Sequence, residues 1–205
     1  MPAARGATTT ELVAVARASL EESLRVKRAT LEVCTPTIAE AGELLLEALR
    51  GGAKVLCFGN GGSAADAQHF AAELAGRFVR ERPPLPALAL TANSSDLTGI
   101  GNDHGFERVF ERLIEAHGRR GDVAFAISTS GNSANVNAAV IEARKRGLRT
   151  IALTGRTGGK LADLAELVIR VPSDETPRIQ ESHIAICHVL CEMVDSVLFP
   201  GGFPP

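Results

Sequence analysis

The sequence predicts an α/β protein: a three-layer αβα sandwich built on a five-stranded parallel sheet and preceded by an N-terminal helical arm. Three observations predict it. Short apolar runs alternate with helical patterns over about 120 residues, the signature of βαβ units. Two of those runs end in turns that open a helix, Gly59-Asn60-Gly61-Gly62-Ser63 and Ser128-Thr129-Ser130-Gly131-Asn132-Ser133. The residues before the first run carry helical periodicity alone, which places helices ahead of the sheet.

Taken in order, the first dozen residues are expected to be frayed, and residues 11–34 alternate Leu, Val and Ala with Arg and Glu at helical intervals. Thr35 and Pro36 read as the start of a second helix, with Ile38, Ala41, Leu45 and Leu49 on one face and Gly51-Gly52 as its stop. A first strand is expected over 54–58, a helix after the glycine corner, and a second strand over 86–91 behind the breaker Arg82-Pro83-Pro84. Residues 93–104 read as a polar, glycine-bearing loop, 106–116 as a helix and 122–127 as a third strand. A helix over about 132–146 leads to strands over 148–154 and 167–171, and Thr176 and Pro177 cap a closing helix. The chain is expected to form one domain over 1–205, with the arm at about 11–51 and the α/β core at about 52–199.

Composition narrows the function. A net charge of −2 over 205 residues, no basic run and no Trp or Tyr give no footprint for nucleic acid. No apolar stretch reaches the roughly 20 residues of a membrane span and no secretion signal precedes the fold, so a soluble cytoplasmic protein without a membrane partner is expected. Cys34, Cys57, Cys187 and Cys191 lack the spacing of a disulfide framework and read as buried thiols. The arm has apolar surface to cover, which favours subunit association.

The chemistry concentrates at the two strand-to-helix corners. Gly59, Gly61 and Gly62 let the backbone turn sharply, and the free N–H groups of the following helix favour an anion, with the Ser63 hydroxyl beside them. A phosphate is the natural guest. His69 and Glu73 lie one turn apart on that helix and suit either a metal or an acid/base pair, or simply an exposed intrahelical contact. Ser128, Thr129, Ser130 and Ser133 add neutral donors at the second corner. The first corner also fits the dinucleotide fingerprint, but the second strand ends Thr91-Ala92-Asn93 without the acidic residue that would hold a ribose. In the closing helix, His188 lies about 80° from Gln180 and His183 about 60° to its other side, so geometry leaves both histidines open. Asp103, in Gly101-Asn102-Asp103-His104-Gly105, suits a ligand-facing segment or an ordinary polar loop.

These stretches, with residues 66–73 and Arg178-Ile179-Gln180-Glu181-Ser182-His183, resemble the phosphoheptose isomerase family of the sugar isomerase (SIS), flavodoxin-like fold, in order and spacing over nearly the whole chain. The resemblance implies an isomerase that converts sedoheptulose 7-phosphate to D-glycero-D-manno-heptose 7-phosphate, the first step toward activated heptoses, working as a homotetramer. It implies one Zn2+ per subunit on His69, Glu73, Gln180 and His188, and substrate contacts from Asn60, Gly61, Gly62, Glu73, Asn102, Asp103, Ser128, Thr129, Ser130, Ser133 and Gln180. Ser63 joins that set on the helix-terminus argument. One local departure precedes Gly101, where the loop over 92–98 is about one residue longer than in some relatives.

In the reaction so implied, Glu73 takes a substrate proton and His188 is its acid/base partner, while zinc polarises the carbonyl and the hydroxyl cluster anchors the phosphate. A residue fully engaged with the metal has no lone pair for that proton, so either coordination loosens or one role dominates. Two other readings compete: a non-catalytic SIS module that senses sugar phosphates or binds a replication initiator, and an isomerase for a different phosphosugar.

Overall fold

The computed structural model describes residues 7–201. Helix α1 (Thr9–Arg50) opens on a capping box, in which the Glu11 N–H donates to the Thr8 hydroxyl at 3.3 Å and the Thr8 N–H donates to the Glu11 carboxylate at 2.7 Å. Of the dozen residues expected to be frayed, 1–6 lie outside the described residues and 9–12 are already helical. The arm is one helix of 42 residues, not two: Pro36 lies inside it, and Thr35 caps nothing but donates its hydroxyl to Leu31 O. Proline deletes a ladder bond and crowds the carbonyl four residues back. A buried stripe running through it, Thr30, Cys34, Ile38, Ala41 and Leu45, packs on the closing helix α7 (Thr176–Leu198) and the edge strand β5 (Leu167–Arg170), and that packing overrides the local breaker.

The sheet is β1 (Val55–Gly59), β2 (Ala87–Ala89), β3 (Val123–Ile127), β4 (Arg149–Thr154) and β5, all parallel, in the order β2-β1-β3-β4-β5. The register pairs Val55 with Val123 and Gly59 with Ile127, so β1 and β3 end side by side. Every residue of these two central strands is buried, and alternate side chains feed two cores. Val55, Cys57, Phe125 and Ile127 meet α1, α2 (Gly62–Ala75) and α7 on one face. Leu56, Phe58, Ala124 and Ala126 meet α4 (Val109–His117) and α5 (Ala134–Lys145) on the other. Fully buried Phe58, Phe70, Phe110 and Phe125 contribute roughly 1.5–3 kcal/mol each by leaving water.

The expected loop over 93–104 is largely a helix, α3 (Ser94–His104). Asn93 is its cap, accepting from the N–H groups of Ser95 (3.0 Å) and Asp96 (3.4 Å). Gly99 and Gly101 lower its propensity by about 1 kcal/mol each; Leu97 and Ile100 recover stability by packing on the second core. Smaller differences follow from local hydrogen bonding. The 106–116 helix divides into a 3₁₀ turn (Phe106–Arg108) and α4, a single turn α6 (Leu161–Leu164) precedes β5, and the cap position of α7 falls on Glu175 with Pro177 in the first turn. All four cysteines are buried and unpaired, as expected. Among the described residues no helix is long and apolar enough to cross a membrane.

Candidate active site

A 2-1-3-4-5 sheet reverses its winding between β1 and β3, and the turns leaving these strands flank a crevice at their carboxyl ends. The two corners singled out in the sequence are those turns, 68 residues apart in the register pair Gly59–Ile127 and adjacent in space.

At the first corner Gly61 caps α2 with φ +56°, a conformation that favours glycine, and no side chain makes a cap hydrogen bond to the helix start. A Cβ on Gly59 would lie 2.7 Å from Ile127 O, so a side chain here would push the strand ends apart. Ser63 is buried beneath the turn. Asn60 is half-buried and engaged in a reciprocal amide pair: its Nδ2 donates to Asn135 Oδ1 at 2.8 Å, and Asn135 Nδ2 donates to Asn60 Oδ1 at 2.9 Å. Asn135 also accepts the Val136 N–H. This residue was missed in the sequence, although its position just inside the helix that follows the hydroxyl cluster was the available signal.

At the second corner, buried Ser128 and half-buried Ser133 share a hydrogen bond at 3.1 Å, and Ser130 is exposed with its hydroxyl accepting from Asn132 N–H at 3.2 Å. Ser133 caps α5 without using its side chain on the helix, so the N–H groups of Ala134 and Asn135 stay available to an anion. The 158–159 turn braces this loop from behind. Thr129 O accepts from Gly155 N–H (2.9 Å), Gly131 O accepts from Leu161 N–H (2.9 Å), and Asn132 Oδ1 accepts from Lys160 N–H (3.1 Å). Gly131 has φ +64°, and a Cβ there would overlap the Gly158 carbonyl.

The remaining predicted residues come from α2, α3 and α7. His69 Nε2 lies 3.1 Å from Glu73 Oε1 and 3.0 Å from His188 Nε2, with the donor atoms of all three within 4.8 Å of one another. Donors at 2.0–2.1 Å on a tetrahedral ion stand about 3.3 Å apart, so the trio fits a zinc-sized cation. Gln180 is placed elsewhere on α7: its amide covers Gly62, where a Cβ would overlap Nε2, and its Cα precedes that of His188 by about 12 Å of helix. Three of the four predicted metal donors therefore converge, and the amide of the fourth lies against Gly62 at the glycine corner. Asn102 and Asp103 lie exposed in the last turn of α3, joined by an Asn102 Nδ2 to Asp103 Oδ1 bond of 2.9 Å.

The structure separates the two histidines that helical geometry left open. His183 is fully buried, its Nε2 donates to Thr154 O at 3.1 Å, and burial lowers its pKa to about 4, so it is a neutral core residue. His188 is half-buried and turned toward His69, with the Phe78 ring 5.5 Å from its own. Asp66, one turn before His69, keeps a buried, unpartnered Oδ2, and desolvation raises its pKa against the opposing pull of His69.

Comparison with known proteins adds three findings. Residues 20–155 match the family model described as SIS domain. A curated phosphoheptose isomerase of Rhodospirillum rubrum is 57% identical over 165 residues, covering 80% of this chain and 88% of the relative. Two solved structures superpose closely: a phosphoheptose isomerase from Neisseria gonorrhoeae (TM-score 0.86, 47% identity, 91% of this chain and 100% of that one) and one from Francisella tularensis (TM-score 0.87, 40% identity, 90% and 98%).

Proposed function

The chain belongs to the phosphoheptose isomerase family of SIS-domain proteins, and from this premise we propose that it converts sedoheptulose 7-phosphate to D-glycero-D-manno-heptose 7-phosphate through an enediol. The observation that carries the reading is the meeting of His69 and Glu73, on the helix that opens at the glycine corner, with His188 of α7.

The isomerisation moves one proton from C1 to C2 of the sugar while its two oxygens exchange a proton. In this reading the sugar phosphate is anchored by Ser128, Thr129, Ser130 and Ser133 with the α5 N-terminus, and by Gly61 and Gly62 at the α2 N-terminus. Asn60, held by Asn135, and buried Ser63 shape the first corner, and Asn102 and Asp103 close the exposed side. Glu73 is the base: Oε1 faces His69, while Oε2 makes no hydrogen bond among the described residues and is available for the C1 proton. That second oxygen eases the conflict between ligation and proton transfer. His188 returns a proton on the oxygen side, Gln180 holds a sugar hydroxyl or completes the ligand set, and His69 is a ligand alone. A Zn2+ on His69, Glu73, Gln180 and His188 would polarise the carbonyl and stabilise negative charge on the enediol oxygens.

A purely sensory SIS module needs the anion corners and has no use for the trio, so the trio favours catalysis. The exposed row Leu12, Leu20, Leu24 and Leu31 along α1, and an apolar groove of about 310 Å³ between α1 and α7 lined by Leu31, Ile38, Ile186, Val189 and Met193, support assembly into a homotetramer. We place the protein in the cytoplasm, as one domain whose arm serves that assembly.

Nuclear magnetic resonance of sedoheptulose 7-phosphate mixed with the purified protein, before and after metal stripping, tests the proposal. An aldose product that disappears with chelator and returns with Zn2+ is expected. Binding of the sugar phosphate without conversion would overturn catalysis in favour of the sensory reading.

A further inference from the structure

Just past α2 the chain crosses α7 through a buried ion pair that neither corner nor the trio explains. The side chains of Arg82 and Asp195 are 0% and 3% exposed, and Arg82 Nε donates to Asp195 Oδ1 at 2.6 Å. The other arms of the guanidinium point back into α2: Nη2 donates to Glu73 O at 2.7 Å and Nη1 to Leu74 O at 2.9 Å. Those carbonyls belong to the last turn of α2, where no later helical N–H can reach them, so Arg82 acts as the C-terminal cap of the helix that carries His69 and Glu73.

The carboxylate does the matching work on α7. Asp195 Oδ2 accepts from the N–H groups of Val79 (3.4 Å) and Arg80 (3.3 Å), and it stands two helical turns beyond His188 on the same face. Phe78, in the same crossing segment, places its ring on His188. A pair buried this deeply gives little net stability, because desolvation offsets most of its attraction. What the planar fork supplies is direction: it accepts only one placement of the α2 end over α7.

We propose that Arg82 and Asp195 are positioning residues that set the register of α2 against α7, so that His69 and Glu73 meet His188 at one point. The inference rests on reading that trio as a metal centre, and it follows from the sensitivity of metal sites to the groups that orient their ligands.

Full-length Arg82→Lys, which keeps the charge and loses the fork, and Asp195→Asn, which keeps the shape and loses the charge, test it, with His69→Ala as the control for the centre itself. Zn2+ affinity of the stripped proteins is measured by competition with a chromophoric chelator, together with circular dichroism, thermal unfolding, kcat and KM. Weakening of Zn2+ binding by about 10- to 100-fold is expected in both variants, with kcat lowered, KM within about twofold of the parent and apo secondary structure intact. A folded variant with parental Zn2+ affinity and kcat, or failure of both variants to fold, overturns the positioning role and leaves the centre standing if His69→Ala has lost zinc. Parental affinity in His69→Ala overturns the centre, and the positioning role with it.

Discussion

His69 Nε2 and His188 Nε2 face each other at 3.0 Å across a separation of 119 residues. Two lone pairs cannot occupy that gap unless a proton or a cation stands between them. With the Glu73 carboxylate 3.1 Å away, the three groups can share a proton or hold a cation.

Glu73→Gln is expected to retain sugar-phosphate binding while its turnover falls by about 10²- to 10⁴-fold, the usual contribution of a positioned proton carrier. Zinc content measured on the same sample separates the roles: metal retained with turnover lost supports proton transfer, and joint loss makes ligation its main duty.

Gly62→Ala is expected to fold, because the added methyl meets only the flexible end of Gln180. The displaced amide lowers kcat toward that of Gln180→Ala. Parental kcat in Gly62→Ala beside a slow Gln180→Ala would show that the amide works from another position.

Gly131→Ala meets backbone instead, at a positive φ and against the Gly158 carbonyl. The strain, about 1–3 kcal/mol or more, should lower the melting temperature, and a shifted hydroxyl loop should raise KM by about tenfold or more. An unchanged KM in the folded variant would remove this loop from the phosphate site.

His183 gives a pH dependence whose sign is fixed. Its folded pKa of about 4 lies below the ordinary histidine value of 6.5, so below pH 6.5 the unfolded chain binds the extra proton. Its contribution is whole above pH 6.5 and is lost as the pH falls toward 4, a change on the order of 3 kcal/mol. His183→Gln, which still donates to Thr154 O and does not titrate, should flatten the melting temperature over that range relative to the parent. Parallel curves would contradict it.

Local signals in the chain were enough for the parallel α/β class, the five strands to within a few residues and both strand-to-helix corners, because buried strands are apolar runs and tight turns demand glycine. They also supplied the i, i+4 pair of His69 and Glu73. The continuous arm through Pro36 and the helix over 94–104 were hidden, since in each case packing on a distant element outweighs a local breaker. Only the tertiary structure chose His188 over His183 on physical grounds, by burying one against Thr154 O and turning the other toward His69. It alone paired Asn60 with Asn135 and locked Arg82 to Asp195. Such contacts join side chains far apart in the chain, and no periodicity records which of two equally spaced residues a second helix will meet.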